Sequence, residues 1–203
     1  MQTQPHGGTV VVVSGIADVL ESQPSTQIGK ALGFREICAG FVQLLADTMT
    51  LRDLYIKHGW QASGPLAPTF QQMCERHQVE QHRLVQLLVR KIREFGGEPI
   101  VMAADVAALT SIPLPPCGRE EPLAQCHRLL TAHDIVAQAA MSLGARVSAS
   151  VGAGRAPLIV AEILLTCTLQ VWLLGQYMEA AACPLGSCRS MPVLDGVHAR
   201  PST

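Results

Sequence analysis

Apolar residues recur every three or four positions along most of the chain, which is the spacing of one helix face. Over residues 34–60 this pattern predicts a first long helix, with apolar positions at Ile37, Phe41, Leu44, Leu45, Met49, Leu51, Leu54 and Tyr55. A second helix is predicted over residues 69–95, with Thr69 as a suitable N-cap and Gly96-Gly97 as the C-terminal stop. Almost no segment alternates apolar and polar residues as a strand does, so the pattern indicates an all-α protein.

The second half of the chain continues the helical pattern after a proline-rich connection. A short helix is predicted over 105–109, followed by the proline-rich segment 112–118. A third long helix is predicted over 121–147 and a fourth over 157–181. Four long helices with a crossover between the second and third predict a four-helix bundle, with a short helix in that connection.

The ends of the chain differ in composition from the bundle. Residues 1–32 are rich in Gln, Ser, Thr, Gly and Pro and are predicted to form a flexible N-terminal extension. Within it, Val10–Val13 is predicted either to add a short strand to a neighbour or to pack as an apolar anchor. Residues 33–182 are assigned to the bundle, and residues 183–203 to a flexible C-terminal tail.

The charge of the chain argues against direct binding to nucleic acid. The formal net charge is −1 at a pI of about 6.6, so no global positive field attracts phosphate. Residues 1–32 hold one basic side chain, Lys30, and residues 183–203 hold only Arg189 and Arg200. DNA binding is therefore expected to be weak or indirect, because few cations are present to displace counterions.

The remaining composition favours a cytoplasmic protein. The seven cysteines are odd in number and scattered, which predicts reduced thiols; they are Cys38, Cys74, Cys117, Cys126, Cys167, Cys183 and Cys188. No basic segment precedes the first apolar run, so a secretory signal is not expected. The apolar segment 158–182 is interrupted by Glu162, Gln170 and Gln176, which favours a central bundle helix over a membrane span.

Residues 47–65 resemble the end of the first bundle helix in the DNA-protection-during-starvation (Dps-like) mini-ferritins. That family typically has Lys-His-His-Trp-x-x-x-Gly-Pro, and this chain has Lys57, His58, Gly59, Trp60, Gly64 and Pro65. Residues 91–99 are similar to the family's Gly-Gly-x-Pro ending of the second helix, and residues 169–173 resemble its final helix. The resemblance implies a ferritin-like fold, a cytoplasmic homo-oligomer that forms a dodecameric shell, and a role in iron storage and stress protection.

The resemblance also implies where an iron site would lie. The family builds a dinuclear iron site from two subunits: one supplies two His and an Asp, the other an Asp and a Glu one turn apart. In this chain those positions fall at Gly59, Gln71, Glu75, Gln86 and Arg90. Only Glu75 keeps a metal-ligating group, and Arg90 places a positive charge where the family holds a cation.

These substitutions predict that ferroxidase activity is weak or lost and that iron binding is doubtful. The turn before the last helix agrees, because residues 151–158 contain Arg155 and no acid, where one branch of the family has an acidic iron-access pore. The expected role is then structural, as a shell subunit or as a partner co-assembled with an active paralogue.

Several alternatives remain open at this stage. The first is an active ferroxidase that uses a remodelled site of Glu75, His58 and His82, and the second is a DNA-binding protection protein. Arg90 either pairs with Glu75 across a subunit interface or points to solvent. Other side chains are given structural roles: His77 on the surface, His127 and His133 solvated or hydrogen-bonded, and Trp60 and Trp172 as packing residues.

Overall fold

The computed structural model describes residues 25–149 and 154–182, with side chains from Gly33 onward. The helices are α1 (Ser25–Trp60), α2 (Ala67–Glu94), α3 (Ala103–Leu109), α4 (Pro122–Ala149) and α5 (Ala156–Ala182). No strand occurs within these two ranges. The predicted all-α bundle with a short helix in its connection is therefore confirmed.

The starts of α1 and α2 differ from the predicted ones. Helix α1 begins at Ser25, inside the segment predicted to be a flexible extension. Helix α2 begins at Ala67, so Thr69 is not its N-cap; that position is Leu66, which makes no side-chain capping bond. The region around Val10–Val13 and the tail from Cys183 onward lie outside the described residues.

Helix α2 ends at the predicted pair of glycines through a Schellman motif. The N–H of Gly97 donates to the carbonyl of Ile92 at 2.9 Å, and the N–H of Gly96 donates to Arg93 at 3.0 Å. Gly96 has a φ of +74°, which a glycine adopts without strain. A Cβ atom on Gly97 would overlap Cys38 Sγ, so the close approach of the chain to α1 also requires glycine there.

The core forms where the apolar faces of the four long helices meet. Helix α1 packs against α2 and α4, and α5 closes the bundle against α4 and α2. Helix α2 buries residues at alternating spacings of four and three, namely Phe70, Cys74, His77, Gln81, Leu84 and Leu88. We call this set the α2 core stripe. Its two polar members are the first sign that the core is not purely apolar.

Helix α3 is fastened to α1 by a buried carboxylate. Asp47 Oδ1 accepts hydrogen bonds from the N–H of Ser111 at 2.6 Å and from the hydroxyl of Thr110 at 3.0 Å. Gln43 Nε2 donates to the carbonyl of Leu109 at 2.8 Å. The side chain of Asp47 is fully buried. These bonds fix the connection between α2 and α4 on one face of the bundle.

Helix α5 is long and apolar enough to cross a membrane, judged by length and composition alone. In the structure one of its faces is buried in the bundle, through Ala156, Val160, Ile163, Cys167, Gln170, Leu174 and Tyr177. Its opposite face exposes Leu158, Leu165, Leu169 and Trp172. The buried face is that of a bundle helix, and the exposed apolar face is available for contact with another chain.

Candidate functional site

Two family iron-site positions, Gly59 on α1 and Glu75 on α2, border a cleft between these helices. This α1–α2 cleft has a volume of about 330 Å³ and is lined by Tyr55, Ile56, Gly59, Trp60, Glu75, Gln78 and Val79. Glu75 is exposed, and its Oε1 accepts a hydrogen bond from Gln71 Nε2 at 2.9 Å. The cleft therefore offers one carboxylate, which is already hydrogen-bonded to a neutral amide one turn away.

The helices come close together at Gly59. A Cβ atom built on Gly59 would lie 3.2 Å from Cys74 Cβ, which is tighter than ordinary van der Waals contact. Any larger residue at position 59 would therefore push α1 and α2 apart by a few tenths of an ångström. The position where the family has its first histidine has no side chain, and a Cβ atom there would need a small shift of Cys74.

Gln86 and Arg90 lie one turn apart near the C-terminal end of α2, and both are exposed. At 1.5 Å per residue, Arg90 is about 22 Å along the helix from Glu75. One chain thus cannot join these two residues, and a pair between them requires two subunits. Arg90 forms no ion pair with any other described residue.

The structure separates the members of the alternative remodelled site by their burial. His82 and Glu75 are exposed on α2, whereas His58 is fully buried on α1 with no hydrogen-bond partner at either ring nitrogen. Within residues 33–149 and 154–182, no three His, Cys, Asp or Glu side chains are grouped so that they could hold a metal ion. A single chain does not bring Glu75, His58 and His82 together, and the remodelled site stays a prediction.

His58 lies close to a charged group that joins α1 to the start of α4. Glu120 accepts hydrogen bonds from Lys57 Nζ at 3.0 Å and from Arg128 at 2.6 Å. The bonds to Arg128 and Lys57 lower the pKa of Glu120, against the effect of its burial. Burial lowers the pKa of His58 to about 4, and the nearby Lys57 acts in the same direction. His58 is therefore neutral at pH 7.

A second polar group, which the sequence did not reveal as a site, crosses the centre of the core. Tyr55 on α1, His77 and Gln81 on α2, His133 on α4 and Gln170 on α5 are all buried. We call these five residues the buried polar layer. The Tyr55 hydroxyl and His133 Nε2 are 2.6 Å apart. The Tyr55 ring also contacts the His77 ring edge-on, with centroids 5.0 Å apart.

The surface position predicted for His77 is wrong. His77 follows Cys74 by three residues and precedes Gln81 by four, which places it on the α2 core stripe. That spacing was visible in the sequence and would have located it. His133 is hydrogen-bonded, and His127 is exposed, as predicted.

Burial keeps the titratable groups around the layer uncharged. It lowers the pKa of His77 to about 4 and that of His133 to about 3. It raises the pKa of Tyr55 well above its ordinary value. The buried thiols of Cys74, Cys126 and Cys167 have pKa values raised to about 12 by burial and are free thiols.

Neither tryptophan is packed in the core of a single chain. Trp60 is 83% exposed at the rim of the α1–α2 cleft, beside Val79, which is 65% exposed. Trp172 is 61% exposed on α5. The prediction that both are packing residues is wrong for the isolated subunit. Large exposed apolar side chains of this kind often mark contacts with other chains.

Comparisons with known proteins agree with this architecture. The ferritin-like domain family model matches residues 39–141. A relative from Kitasatospora aureofaciens, described as an uncharacterized protein in the bpoA2 5′ region, is 31% identical over 139 residues, which cover 67% of this chain and 89% of the relative.

Solved structures give the same assignment. DpsC from Streptomyces coelicolor superposes with a TM-score of 0.69 at 29% identity, covering 72% of this chain and 85% of DpsC. Dps from Thermosynechococcus elongatus has a TM-score of 0.70 over 74% of this chain and 94% of that protein, and at 14% identity it supports the fold alone. The chain therefore belongs to the ferritin-like family, as a Dps-like mini-ferritin.

Proposed function

We propose that this protein is a shell subunit of the iron-storage and stress-protection type whose own ferroxidase is weak or absent. The observation that supports the proposal is the α1–α2 cleft, in which Glu75 is the single carboxylate among the lining residues and Gly59 stands at another family ligand position. Gln71, one turn before Glu75, is hydrogen-bonded to it. The opposite half of the family site, on the same helix, holds Gln86 and Arg90. Of these five positions, Glu75 alone has a metal-ligating side chain.

Coordination chemistry explains why these residues do not fit a pair of iron ions. Ferrous iron prefers carboxylate and imidazole ligands, and a neutral amide is a weak ligand by comparison. The guanidinium of Arg90 is positively charged and repels a cation at this position. Glu75 has part of its acceptor capacity taken by Gln71.

The same proposal assigns the protein to a homo-oligomeric shell in the cytoplasm. The exposed Trp60 and Val79 and the exposed apolar face of α5 provide surfaces that assembly would cover. A related ferritin from Bacteroides fragilis, with 13% identity and a TM-score of 0.69, is described as a dodecameric thioferritin. We propose a dodecamer for this chain as well, alone or co-assembled with an active paralogue, with weak DNA contact and no membrane insertion.

An anaerobic ferrous-iron titration of the purified oligomer, followed by peroxide, tests the proposal directly. We expect no binding of a pair of iron ions at the family site and only background formation of ferric absorbance. Rapid oxidation with a fixed number of iron ions per subunit would contradict the proposal. In that case His82→Phe distinguishes the remodelled site, because it removes a proposed ligand from an exposed position.

A charge-restoring variant tests whether the ligand positions are assigned correctly. Gln86→Asp with Arg90→Glu removes a repelling cation and adds two carboxylates one turn apart. We expect ferrous binding to tighten about tenfold or more, which corresponds to about 1.4 kcal/mol. The matched control is Gln72→Asp with Arg93→Glu, which makes the same change of charge at exposed positions of the same helix. Equal iron binding by the two double variants would show that the assignment on α2 is wrong.

A further inference from the structure

Several hydrogen-bonding atoms in the buried polar layer have no partner among the described residues. They are both ring nitrogens of His77, one of which carries a hydrogen, Nδ1 of His133 and Oε1 of Gln81. His77 and Gln81 are fully buried, and His133 is 1% exposed. Each unpartnered buried polar group costs about 1–3 kcal/mol, so a cluster of them is a candidate place for an ordered water molecule or an ion.

The hydrogen bonds around Gln81 fix which of its atoms faces the cluster. The Glu80 carboxylate accepts from Gln170 Nε2 at 2.6 Å, so the Oε1 atom of Gln170 is left as an acceptor. That oxygen accepts from Gln81 Nε2 at 2.9 Å. Because Gln81 uses its amide nitrogen in this bond, its remaining oxygen is the acceptor without a partner.

His133 is held in a similar way from its other side. In the tautomer in which its Nε2–H donates to the Tyr55 hydroxyl oxygen, Nδ1 is the ring nitrogen with the free lone pair. His77 lies one helical turn before Gln81 on the same face of α2, and both imidazole rings contact the Tyr55 ring, at centroid distances of 5.0 and 5.8 Å. Histidines that bind metals are commonly oriented by a hydrogen bond at the other ring nitrogen.

The electrostatic state of these groups suits a cation. A neutral imidazole has one N–H group and one nitrogen with a free lone pair, and that lone pair can bind a cation. Neutral imidazole is a good ligand for Zn²⁺, Fe²⁺ and other first-row metals. Glu80 is linked to Gln81 through Gln170 and places a carboxylate two hydrogen bonds away.

We propose that the buried polar layer binds one divalent transition-metal ion, through the imidazoles of His77 and His133 and the Oε1 atom of Gln81. Tyr55 acts as a positioning residue for His133. The proposed ligands are two histidines and one amide oxygen. Residues 33–149 and 154–182 contain no site with three His, Cys, Asp or Glu ligands, and the proposed site is not of that kind because its third ligand is a glutamine. It lies inside one subunit and does not depend on the α1–α2 cleft ligands or on the proposed function.

The test uses the full chain, stripped of metal with a chelator and titrated with Co²⁺. The visible absorption of the bound ion reports its ligands, and equilibrium dialysis reports the stoichiometry. We expect one Co²⁺ per chain in the wild type. His77→Phe keeps an aromatic ring against Tyr55 and should weaken binding at least tenfold. Tyr55→Phe removes the bond to His133 and should weaken it about 10–100-fold.

Two surface variants serve as controls, His127→Phe on α4 and His82→Phe on α2, and neither should change Co²⁺ binding. If His82→Phe lost Co²⁺ binding and His77→Phe kept it, the ion would bind at the surface of α2 and the proposal would be overturned. A folded wild type that binds no Co²⁺, or a crystal structure of the Co²⁺-treated protein with only ordered water in the layer, would also overturn it. If His77→Phe fails to fold, Tyr55→Phe carries the test.

Discussion

Burial sets the charge state of three histidines, and through it the acid sensitivity of the bundle. His58, His77 and His133 are at most 1% exposed, and burial lowers the pKa of each below the ordinary value of 6.5. In the unfolded chain they accept protons near pH 6.5, whereas in the folded chain they accept them only near pH 3 to 4. The unfolded state therefore binds more protons between these values, and acidification favours unfolding.

His58 provides the cleanest test of this effect. Its contribution to stability is complete above pH 6.5 and is lost as the pH falls towards 4; at pH 5 the loss is about 2 kcal/mol. We expect His58→Leu to reduce the difference in unfolding free energy between pH 7 and pH 5 by about that amount. Urea unfolding in the presence of a chelator measures it. The exposed His127→Leu is the control, and an equal reduction there would contradict the assignment to burial.

At the scale of the helices, regular apolar spacing was enough to predict most of the fold. The predicted ends of α2, α3, α4 and α5 agree with the structure to within two residues. The predicted start of α1 is wrong, because the polar composition of residues 1–32 resembles that of a flexible segment. The helix begins at Ser25, directly after the helix-breaking residue Pro24. The α2 core stripe was underestimated for a related reason: a periodic pattern limited to apolar residues skips His77 and Gln81.

The site was less predictable than the fold. The sequence of one chain identifies the residue types at the family positions. The structure adds that two of these positions, Gly59 and Glu75, line the same cleft. The hydrogen bond between Tyr55 and His133 joins residues 78 positions apart. The local pattern of apolar and polar residues does not predict such a bond. The atoms of the buried polar layer that lack a hydrogen-bond partner can be identified only from the three-dimensional arrangement of the side chains.

The connection from α2 to α4 depends on one buried side chain. Asp47 holds Thr110 and Ser111 against α1 by accepting their hydrogen bonds. Asp47→Ala therefore leaves the backbone N–H of Ser111 and the hydroxyl of Thr110 without this acceptor. We expect a loss of about 2–4 kcal/mol in unfolding free energy and faster proteolysis within residues 110–118. Asp53→Ala is the control, because Asp53 is exposed on the same helix and pairs only with its neighbour Arg52. Equal losses in the two variants would contradict the anchoring role of Asp47.

For the whole molecule, the exposed apolar side chains indicate that the isolated subunit is not the final state. Trp60 and Val79 stand together at the cleft rim, and Trp172 stands on α5 with three exposed leucines. A monomer in water would leave these surfaces solvated. Assembly that covers these surfaces would change the environment of both tryptophans, and fluorescence can report such a change.

A single-tryptophan variant makes this test specific. In Trp172→Phe, Trp60 is the remaining tryptophan. We expect its emission to move to longer wavelength when the oligomer dissociates, because Trp60 is 83% exposed in the subunit.

A charge at position 79 tests whether the cleft rim lies at a subunit contact. Val79→Arg should shift the oligomer towards smaller species in analytical ultracentrifugation, since a charge at a buried contact is costly. Met141→Arg, an exposed position on α4, is the control. An unchanged mass distribution for Val79→Arg would place the subunit contact elsewhere.

The tight contact at Gly59 also bears on how an iron site could be built into this protein. With Cys74 Cβ only 3.2 Å from where a side chain would begin, a histidine at position 59 requires Cys74 to move by a few tenths of an ångström. The positions Gln71, Gln86 and Arg90 are exposed and offer more room for a new side chain. A designed site is therefore best begun at these exposed positions, with the histidine at position 59 added last.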